Sequence, residues 1–597
     1  MCRILGHFAA EATQHEVRAA AVLQRHGGPD SLHRAHGRGW ALASNRLAIT
    51  DPDHGDQPFC LGEHIKVVFT GEIYNHAELR ARLRARGHRF AGHCDGNVLP
   101  AMYAEYGPGF VDHLDGMFAL AVIDLRAEPM LMLATDHAGM KPLYYHWDGG
   151  RLHFSSEIPS LLSFRAIPVR PWEPGLDTYL RTKTPLGEQT MFEGIRAVPP
   201  ATTLTVSLRT GLTILRRDPA QAPPAAGTLG ESGRRVHDLL RQEVTRLARA
   251  DAPVCAITSG GLDSGFVTAL LAGSVPELHV FNVAYRGQWP DDERGFAGEV
   301  AQMWHGRLHQ VEVDPRSFPD MLPEVVWHLG QPNADPITLS TYALFEAVGQ
   351  AGFRVALTGD GADEVFGGYE RIRAAMTGTS RWRSRYTRAL AAVPPGLRHR
   401  LYTAHYREFL TTHAAAPNQA AAALAKKTRS GDQRMRAICE VEVRHRLPAY
   451  HLRRVDHLSM AHAVEARLPF CQRDVIAAGL SLPVVHRVAG GQVKRALYAA
   501  AADHVPRSVL KRPKQPFTLP VTAMMSDGQP LMAMVQDLLT PGRLRAGGQL
   551  APRAVAALIK AQRERPHDRR ALALWALAIH ELWLDQFFSR YPAGAGR

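Results

Sequence analysis

Six cysteines, Cys2, Cys60, Cys94, Cys255, Cys439 and Cys471, are scattered singly through the 597 residues, and no Cys-x-x-Cys pair occurs. That spacing excludes a disulfide framework and a zinc ribbon, and it fits a reducing, cytoplasmic compartment. No uninterrupted apolar run reaches membrane-spanning length, and Met1 runs straight into Cys2 without a charged-then-apolar leader. Neither a membrane protein nor a secreted one is expected. The formal net charge of +13 invites a nucleic-acid reading. Against it, the arginines are dispersed, often beside alanine in helical stretches, and the sequence lacks any aromatic-rich basic motif. A positive field of this kind also gathers small anionic ligands.

What is present is a globular composition, 45% hydrophobic and 21% charged, at a length that implies several domains or two large ones. The first two hundred residues read as β-rich with short helices. Residues 65–69 and 117–123 are strand-like, residues 77–83 have helical spacing, and residues 203–206 close a second group of strands. Around Pro219, Pro223 and Pro224 the composition is that of a linker. Val236, Leu239, Leu240, Val244 and Leu247 then share one face of an amphipathic helix. Short apolar strands at 254–258, 278–284 and 355–358 follow, each leading into helical sequence, which predicts a parallel α/β sheet. From about Glu370 onward the pattern is mostly helical.

Ser259-Gly260-Gly261-Leu262-Asp263-Ser264 follows one of these strands and leads into a helix predicted over 265–271. Two glycines let the chain turn tightly enough for backbone N–H groups and a helix N-terminus to converge on an anion. Ser259 and Ser264 add hydroxyls, and Asp263 can hold a magnesium ion that bridges phosphates. The Gly-Lys-Ser/Thr ending of a Walker loop is missing. The hexapeptide instead resembles the pyrophosphate loop of the N-type ATP pyrophosphatases, which cleave ATP between its α and β phosphates. A lone Gly-Gly pair would be an ordinary turn; the strand–loop–helix setting favours the phosphate loop. Further along, Thr358-Gly359-Asp360-Gly361-Ala362-Asp363-Glu364 again follows a strand and joins three carboxylates to closely spaced glycines. Asp363 is the natural second magnesium ligand.

Cys2 alone is uninformative, since most lone cysteines are buried small hydrophobes. Its position changes that, because removal of Met1 exposes an α-amine of pKa ~8 on the residue that carries the thiol, a general base beside its own nucleophile. Cys2 to Gly6 resembles the opening of class II, N-terminal-nucleophile glutamine amidotransferases. Arg46 to Asp51, Gly55 to Pro58, Gly71 to His76, and Asp95 follow in that family's order. By this resemblance Arg46 grips the carboxylate of glutamine, Gly71 supplies an oxyanion N–H, and Glu72 and Asp95 hold the α-amino group. One departure is Thr70, which stands where the family usually has an oxyanion-donating Asn.

With Asp136 to Tyr145, Arg454 to Ala461, Glu465 to Phe470 and Arg512 to Phe517 also matching, the chain resembles the glutamine-hydrolysing, B-type asparagine synthetases over nearly its full length. The resemblance implies an α+β Ntn-hydrolase domain, an αββα sandwich, over 2–208, a linker over 209–230, and an adenylating domain over 231–597. The last combines an α/β parallel sheet of ATP pyrophosphatase type with a largely helical C-terminal part. ATP and Mg2+ are the implied cofactors, and glutamine and a small carboxylic acid, aspartate or an analogue, the implied partners; a homodimer is left open. ATP and its pyrophosphate fall to Ile257, Ser259, Gly260, Gly261, Asp263, Ser264, Val283, Thr358 and Gly359, with Ile257 and Val283 touching adenine or ribose. Magnesium falls to Asp263 and Asp363. Lys494 matches the family lysine that stabilises charge during adenylation and amide formation. Asp360 lies near the substrate amine, where many aspartate-using members have Glu. Asp456, Glu465 and Arg467 are alternatively a structural ion network beneath the site, and Arg467 suits that role best. Residues 377–436 show little family resemblance. Two other readings compete. One is an adenylating ligase that uses a substrate amine, as β-lactam synthetase and lasso peptide cyclase do; the other is an inactive ATP-binding homologue.

Overall fold

The structure is a computed structural model that describes residues 2–9, 12–217, 227–287, 289, 292–377, 381–413, 419–425, 428, 430–512 and 519–589. Its first part is two stacked antiparallel sheets. One runs in the order Ile195–Ala197, Tyr144–Trp147, Leu152–Ser155, Cys2–Phe8, Trp40–Arg46, Ser31–Gly37. The other runs Gly211–Arg216, Thr202–Ser207, Met130–Thr135, Gly116–Asp124, Ile65–Ile73, Phe59–Leu61. Strand alternation decides what each sheet buries. Ile4 and Phe8 point between the sheets and meet Val68, Ala119 and Leu133, whereas Leu5 points outward to Val17 and Ala20 of the helix Gln14–Leu23. Val67 and Phe69 point the other way, under the helices His76–Arg84 and Leu99–Tyr106. This is the αββα sandwich.

The period of two also places chemistry. Cys2 lies on the inner face with Ile4, and Thr70 and Glu72 lie on the inner face with Val68, so nucleophile and candidate glutamine ligands share the space between the sheets. Arg3, one residue on, must face outward.

The expected linker over 209–230 is shorter than that. Gly211–Arg216 is an edge strand paired along its length with Thr202–Ser207, and it escaped notice because its partly exposed residues do not alternate in polarity. The helix Leu229–Leu247 begins earlier too, on a capping box in which Thr228 and Glu231 satisfy each other's N-terminal donors. Pro219, Pro223 and Pro224 lie outside the described residues.

The second part is built on a five-stranded parallel sheet in the order Arg307–Val313, His279–Tyr285, Val254–Ile257, Val355–Leu357, Glu465–Arg467. The chain leaves the central strand in one direction and returns on its other side, so the switch point falls between Val254–Ile257 and Val355–Leu357. Ligands of open parallel sheets bind in the crevice at such a point, beyond the carboxyl ends of the strands. Both glycine-rich loops, 259–264 and 358–363, emerge there. Helices supply most of the remainder, ending in Asp568–Phe588, whose Trp575 and Trp583 are buried in the shared core.

Candidate active sites

Cys2 is 5% exposed. Gln57 donates its amide to the thiol sulfur at 3.0 Å and to the Phe69 carbonyl at 3.0 Å, while accepting the Phe69 N–H at 2.7 Å. Burial pushes the Cys2 thiol up, opposed by the chain's amino end, a Ser44 hydrogen bond, the Leu47 backbone and the charge of Arg46. Thr70 donates its hydroxyl to the Cys2 carbonyl at 2.5 Å. A hydroxyl has one proton to give, so in this geometry Thr70 fixes the nucleophile's backbone rather than offering an oxyanion donor.

Gly71 has φ +130°, and a Cβ there would lie 1.9 Å from the Met117 carbonyl oxygen. Only glycine fits. Gly71→Ala is expected to cost at least about 1–3 kcal/mol from backbone strain alone, with glutamine-dependent activity lost alongside. A thermal melt indistinguishable from that of wild type would contradict this.

The Arg46 guanidinium is wrapped by the 51–56 turn, donating to Pro52 O at 2.6 Å, Asp51 O at 2.7 Å and Asp56 at 3.3 Å. Burial works against the Asp51 carboxylate, yet donors from the His93 and Cys94 backbone and from His54 bring it down to about 2. That carboxylate thereby ties the Arg46 turn to the segment carrying Asp95, which in turn accepts the Ile73 N–H at 2.8 Å. Glu72 and Asp95 are neighbours; burial, then the charge of Asp95, raises Glu72. Arg46 is the register partner of Cys2, and Gly71 and Glu72 follow Thr70, whose hydroxyl reaches the Cys2 carbonyl.

In the second part, Gly261 caps the helix Leu262–Ala272, so the helix begins at Leu262, earlier than the expected 265–271, and Asp263 and Ser264 fall in its first turn. The Ser264 hydroxyl accepts the Ser259 N–H at 3.1 Å and lies 3.2 Å from the Ser259 hydroxyl. Gly260, at φ +73°, turns the loop where a Cβ would meet the Ala297 N–H at 2.7 Å. Gly359 lies so close that a Cβ would sit 2.7 Å from the Ser264 nitrogen. The two loops are thus one cradle, with Thr358 and Gly359 on one wall and Ser259–Ser264 on the other. Ile257 ends one strand beside it, and Val283 lies inside the neighbouring strand, two residues before its end at Tyr285. Of the stretch 512–517 only Arg512 is among the described residues, and its guanidinium is 3.8 Å from the Cβ position of Gly261.

Lys494 is 1% exposed and adopts φ +49° at the start of the helix Arg495–Ala501. Its ammonium lies 2.7 Å from both oxygens of Asp263 and 2.7 Å from Asp363. Burial opposes this charge, but the two carboxylates hold its pKa above the ordinary lysine value. Gly368 makes the approach possible, since a Cβ there would be 1.9 Å from Asp363 and 2.8 Å from Lys494 Cδ. Asp360 accepts from the Thr358 hydroxyl at 2.7 Å and from Arg454 at 3.2 Å; Arg454 also reaches Asp335 at 3.1 Å.

Sequence reasoning missed the seam between the two parts. Arg3, forced outward beside Cys2, pairs with Glu157 at 2.8 Å and with Asp456 at 2.6 Å, and Lys141 joins Asp456 at 3.0 Å. Strand alternation was the signal that could have found Arg3. Burial disfavours the Asp456 charge, but Arg3 and Lys141 hold it at about 2. Burial also keeps histidines neutral here and elsewhere, lowering His457, His7 and His462 to about 4 and His328 and His153 to about 3. These folded-state values lie below the unfolded ~6.5, so the unfolded chain binds more protons on acidification. Stability is expected to be full above pH ~6.5 and to fall steeply toward pH ~4, before Asp456 titrates. Flat melting temperatures between pH 7 and 5 would refute this.

The fold and these two sites define a two-part protein, an N-terminal-nucleophile amidotransferase half joined to a parallel-sheet half whose two glycine-rich loops meet at the switch point. The comparisons agree: residues 1–214 match the glutamine amidotransferase domain family, and residues 235–585 match asparagine synthase. The chain belongs to the asparagine synthase family. It is 27% identical to asparagine synthetase [glutamine-hydrolyzing] 1 of Bacillus subtilis, over 87% of each chain. It is 28% identical to a putative asparagine synthetase [glutamine-hydrolyzing] of Mycobacterium bovis, over 98% of this chain and 97% of the other. Among solved structures, glutamine phosphoribosylpyrophosphate amidotransferase of B. subtilis aligns with 52% of this chain and 66% of its own at 13% identity, with a TM-score of 0.28. No described helix is long and apolar enough to cross a membrane.

Proposed function

We propose that the protein is a carbon–nitrogen ligase that hydrolyses glutamine at Cys2 and uses the ammonia to amidate an acid activated by ATP. The observation that carries the adenylating half is Lys494 bridging Asp263 and Asp363, one carboxylate from each loop of the cradle. A buried cation at that junction suits a site where a carboxylate attacks the α-phosphate and pyrophosphate departs, because it faces negative charge that grows at the reacting centre. Ser259, Gly260, Gly261 and Ser264 hold the departing diphosphate, and ammonia then displaces AMP. Asp263 and Asp363 are hard oxygen donors of the kind that would hold Mg2+. Such an ion would neutralise charge on the phosphates. Asp360 and Arg454 are the candidate acceptor-binding groups, and aspartate or a related small acid is the acceptor class.

Incubation with ATP, Mg2+, glutamine and a panel of acids should give AMP and pyrophosphate, with oxygen from the acid recovered in AMP; ADP release would defeat the reading. A second reading, in which a substrate amine replaces ammonia, is favoured by one observation: the Thr70 hydroxyl is committed to the Cys2 carbonyl. Glutamine that supports no turnover with any acid, while an amine-bearing acid closes on itself, would decide for it.

A further inference from the structure

Glu72 stands on the inner strand of the first part, 6% exposed, and most of what surrounds it is acidic or neutral. The Thr50 hydroxyl lies 3.4 Å from both of its oxygens. Asp95, the Cys94 thiol beside it and the buried Tyr74 phenol face it from its own domain. Glu465, fully buried, faces it from the parallel sheet. The chain's amino end lends Glu72 some positive charge, and Arg246 lies over the Tyr74 ring, but the larger cationic influence on Glu72 comes from across the seam. Arg467, 1% exposed on the edge strand Glu465–Arg467, directs one guanidinium nitrogen to Glu72 at 3.5 Å. The rest of that guanidinium is immobilised, by Glu465 at 2.6 Å and by the carbonyls of Leu247 and Arg249 at 2.6 and 2.7 Å. The backbone of the same residue is bonded to the phosphate cradle, its carbonyl accepting the Thr358 N–H at 3.1 Å. Arg467 is therefore more than the ion pair beneath the second site that the sequence suggests.

We infer that Arg467 is a positioning residue of the glutamine site, supplied by the synthetase half, which keeps Glu72 in place as a carboxylate ready for an incoming α-ammonium group. The inference rests on the reading that Glu72 receives the amine of glutamine. Burial, Asp95 and Glu465 all favour protonating Glu72, and Arg467, followed by the charge of the chain's amino end, opposes them. A neutral Glu72 could no longer pair with an ammonium group. Remove Arg467, and three acids are left sharing one buried pocket.

Full-length Arg467→Met, Arg467→Lys and Glu465→Gln would be compared with wild type for glutamine hydrolysis across pH. Without the guanidinium, Glu72 loses its proton only at higher pH, so the acid limb of kcat/KM for glutamine should move up by about 1–3 units. At neutral pH the KM for glutamine should rise roughly tenfold or more with a smaller change in kcat. Arg467→Lys should recover part of the shift. Glu465→Gln removes a charge that pushes Glu72 up, so its acid limb should move down. Opposite shifts from two neighbours cannot come from general loosening of the seam. If wild type hydrolyses glutamine while Arg467→Met leaves KM and the acid limb in place, the inference falls and the functional reading stands. Should Arg467→Met fail to fold, an unmoved limb in Glu465→Gln overturns the inference equally. A wild-type protein that hydrolyses no glutamine removes both.

Discussion

Cys2→Ala is expected to lower glutamine-supported turnover by roughly 10⁴-fold or more, the scale seen when a covalent nucleophile is deleted, while ammonia-supported turnover stays within about twofold of wild type. The asymmetry follows from placement. Cys2 sits between the two antiparallel sheets, with its sulfur held by Gln57, whereas the cradle proposed for adenylation lies at the switch point of a different sheet. Truncation of a buried thiol to a methyl group removes a single atom, so the cavity cost is small beside a Leu→Ala change. The variant should fold, and its ammonia-supported rate serves as the control. Burial raises the thiol pKa, so the wild-type nucleophile depends on a nearby base, and retention of Met1 should be nearly as damaging as the substitution. Parallel assays with glutamine and with ammonium salts, on protein whose N-terminus has been checked by mass spectrometry, would test both statements. Equal loss with the two nitrogen donors would mean that Cys2 acts through the seam instead, by way of Arg3 and Asp456.

The parts of this protein that could be read from its sequence are those where local chemistry leaves few choices. The cradle was legible because Gly260, Gly261, Ser259 and Ser264 are contiguous and the strand before them is apolar; a phosphate loop is a local object. Cys2, Arg46, Gly71, Glu72 and Asp95 were legible only through their order, and the structure adds what makes them converge, the shared inner face of two strands and an Asp51 carboxylate that ties the Arg46 turn to the Asp95 segment. The edge strand Gly211–Arg216 was illegible because a strand with little to bury carries little periodicity. The seam was illegible for a different reason. Arg3, Lys141 and Glu157 are far in sequence from Asp456, as Glu72 is from Glu465 and Arg467; the sequence suggests Asp456, Glu465 and Arg467 as an ion network but does not name their partners in the first part. Nothing local marks a charge as buried until its partner is known.

Lys494→Met should abolish pyrophosphate formation, with ATP–pyrophosphate exchange falling by at least about 10²–10³-fold, the usual effect of losing one preorganised charge at a reacting centre. The side chain is nearly the same length, so packing survives, but Asp263 and Asp363, each partly exposed, lose the ammonium between them. Breaking a buried ion pair from one side commonly costs about 3–5 kcal/mol, and this lysine serves two carboxylates at 2.7 Å each. The variant should therefore melt earlier than wild type. On the proposed reading Mg2+ would bind the same carboxylates, so millimolar Mg2+ should return part of the lost melting temperature without returning exchange. That split separates the two roles proposed for Lys494, since a metal would quiet the carboxylates but would not replace an ammonium that stabilises the reacting phosphate. Arg is not expected to rescue. The aliphatic stem of Lys494 already passes so close to Gly368 that even a methyl group there would approach Cδ to 2.8 Å, which leaves no room for a planar guanidinium. Exchange within tenfold of wild type in Lys494→Met would show that the cation balances the two loops without taking part in the chemistry. The adenylating role would then have to rest on Arg512, whose guanidinium lies beside the Gly261 turn.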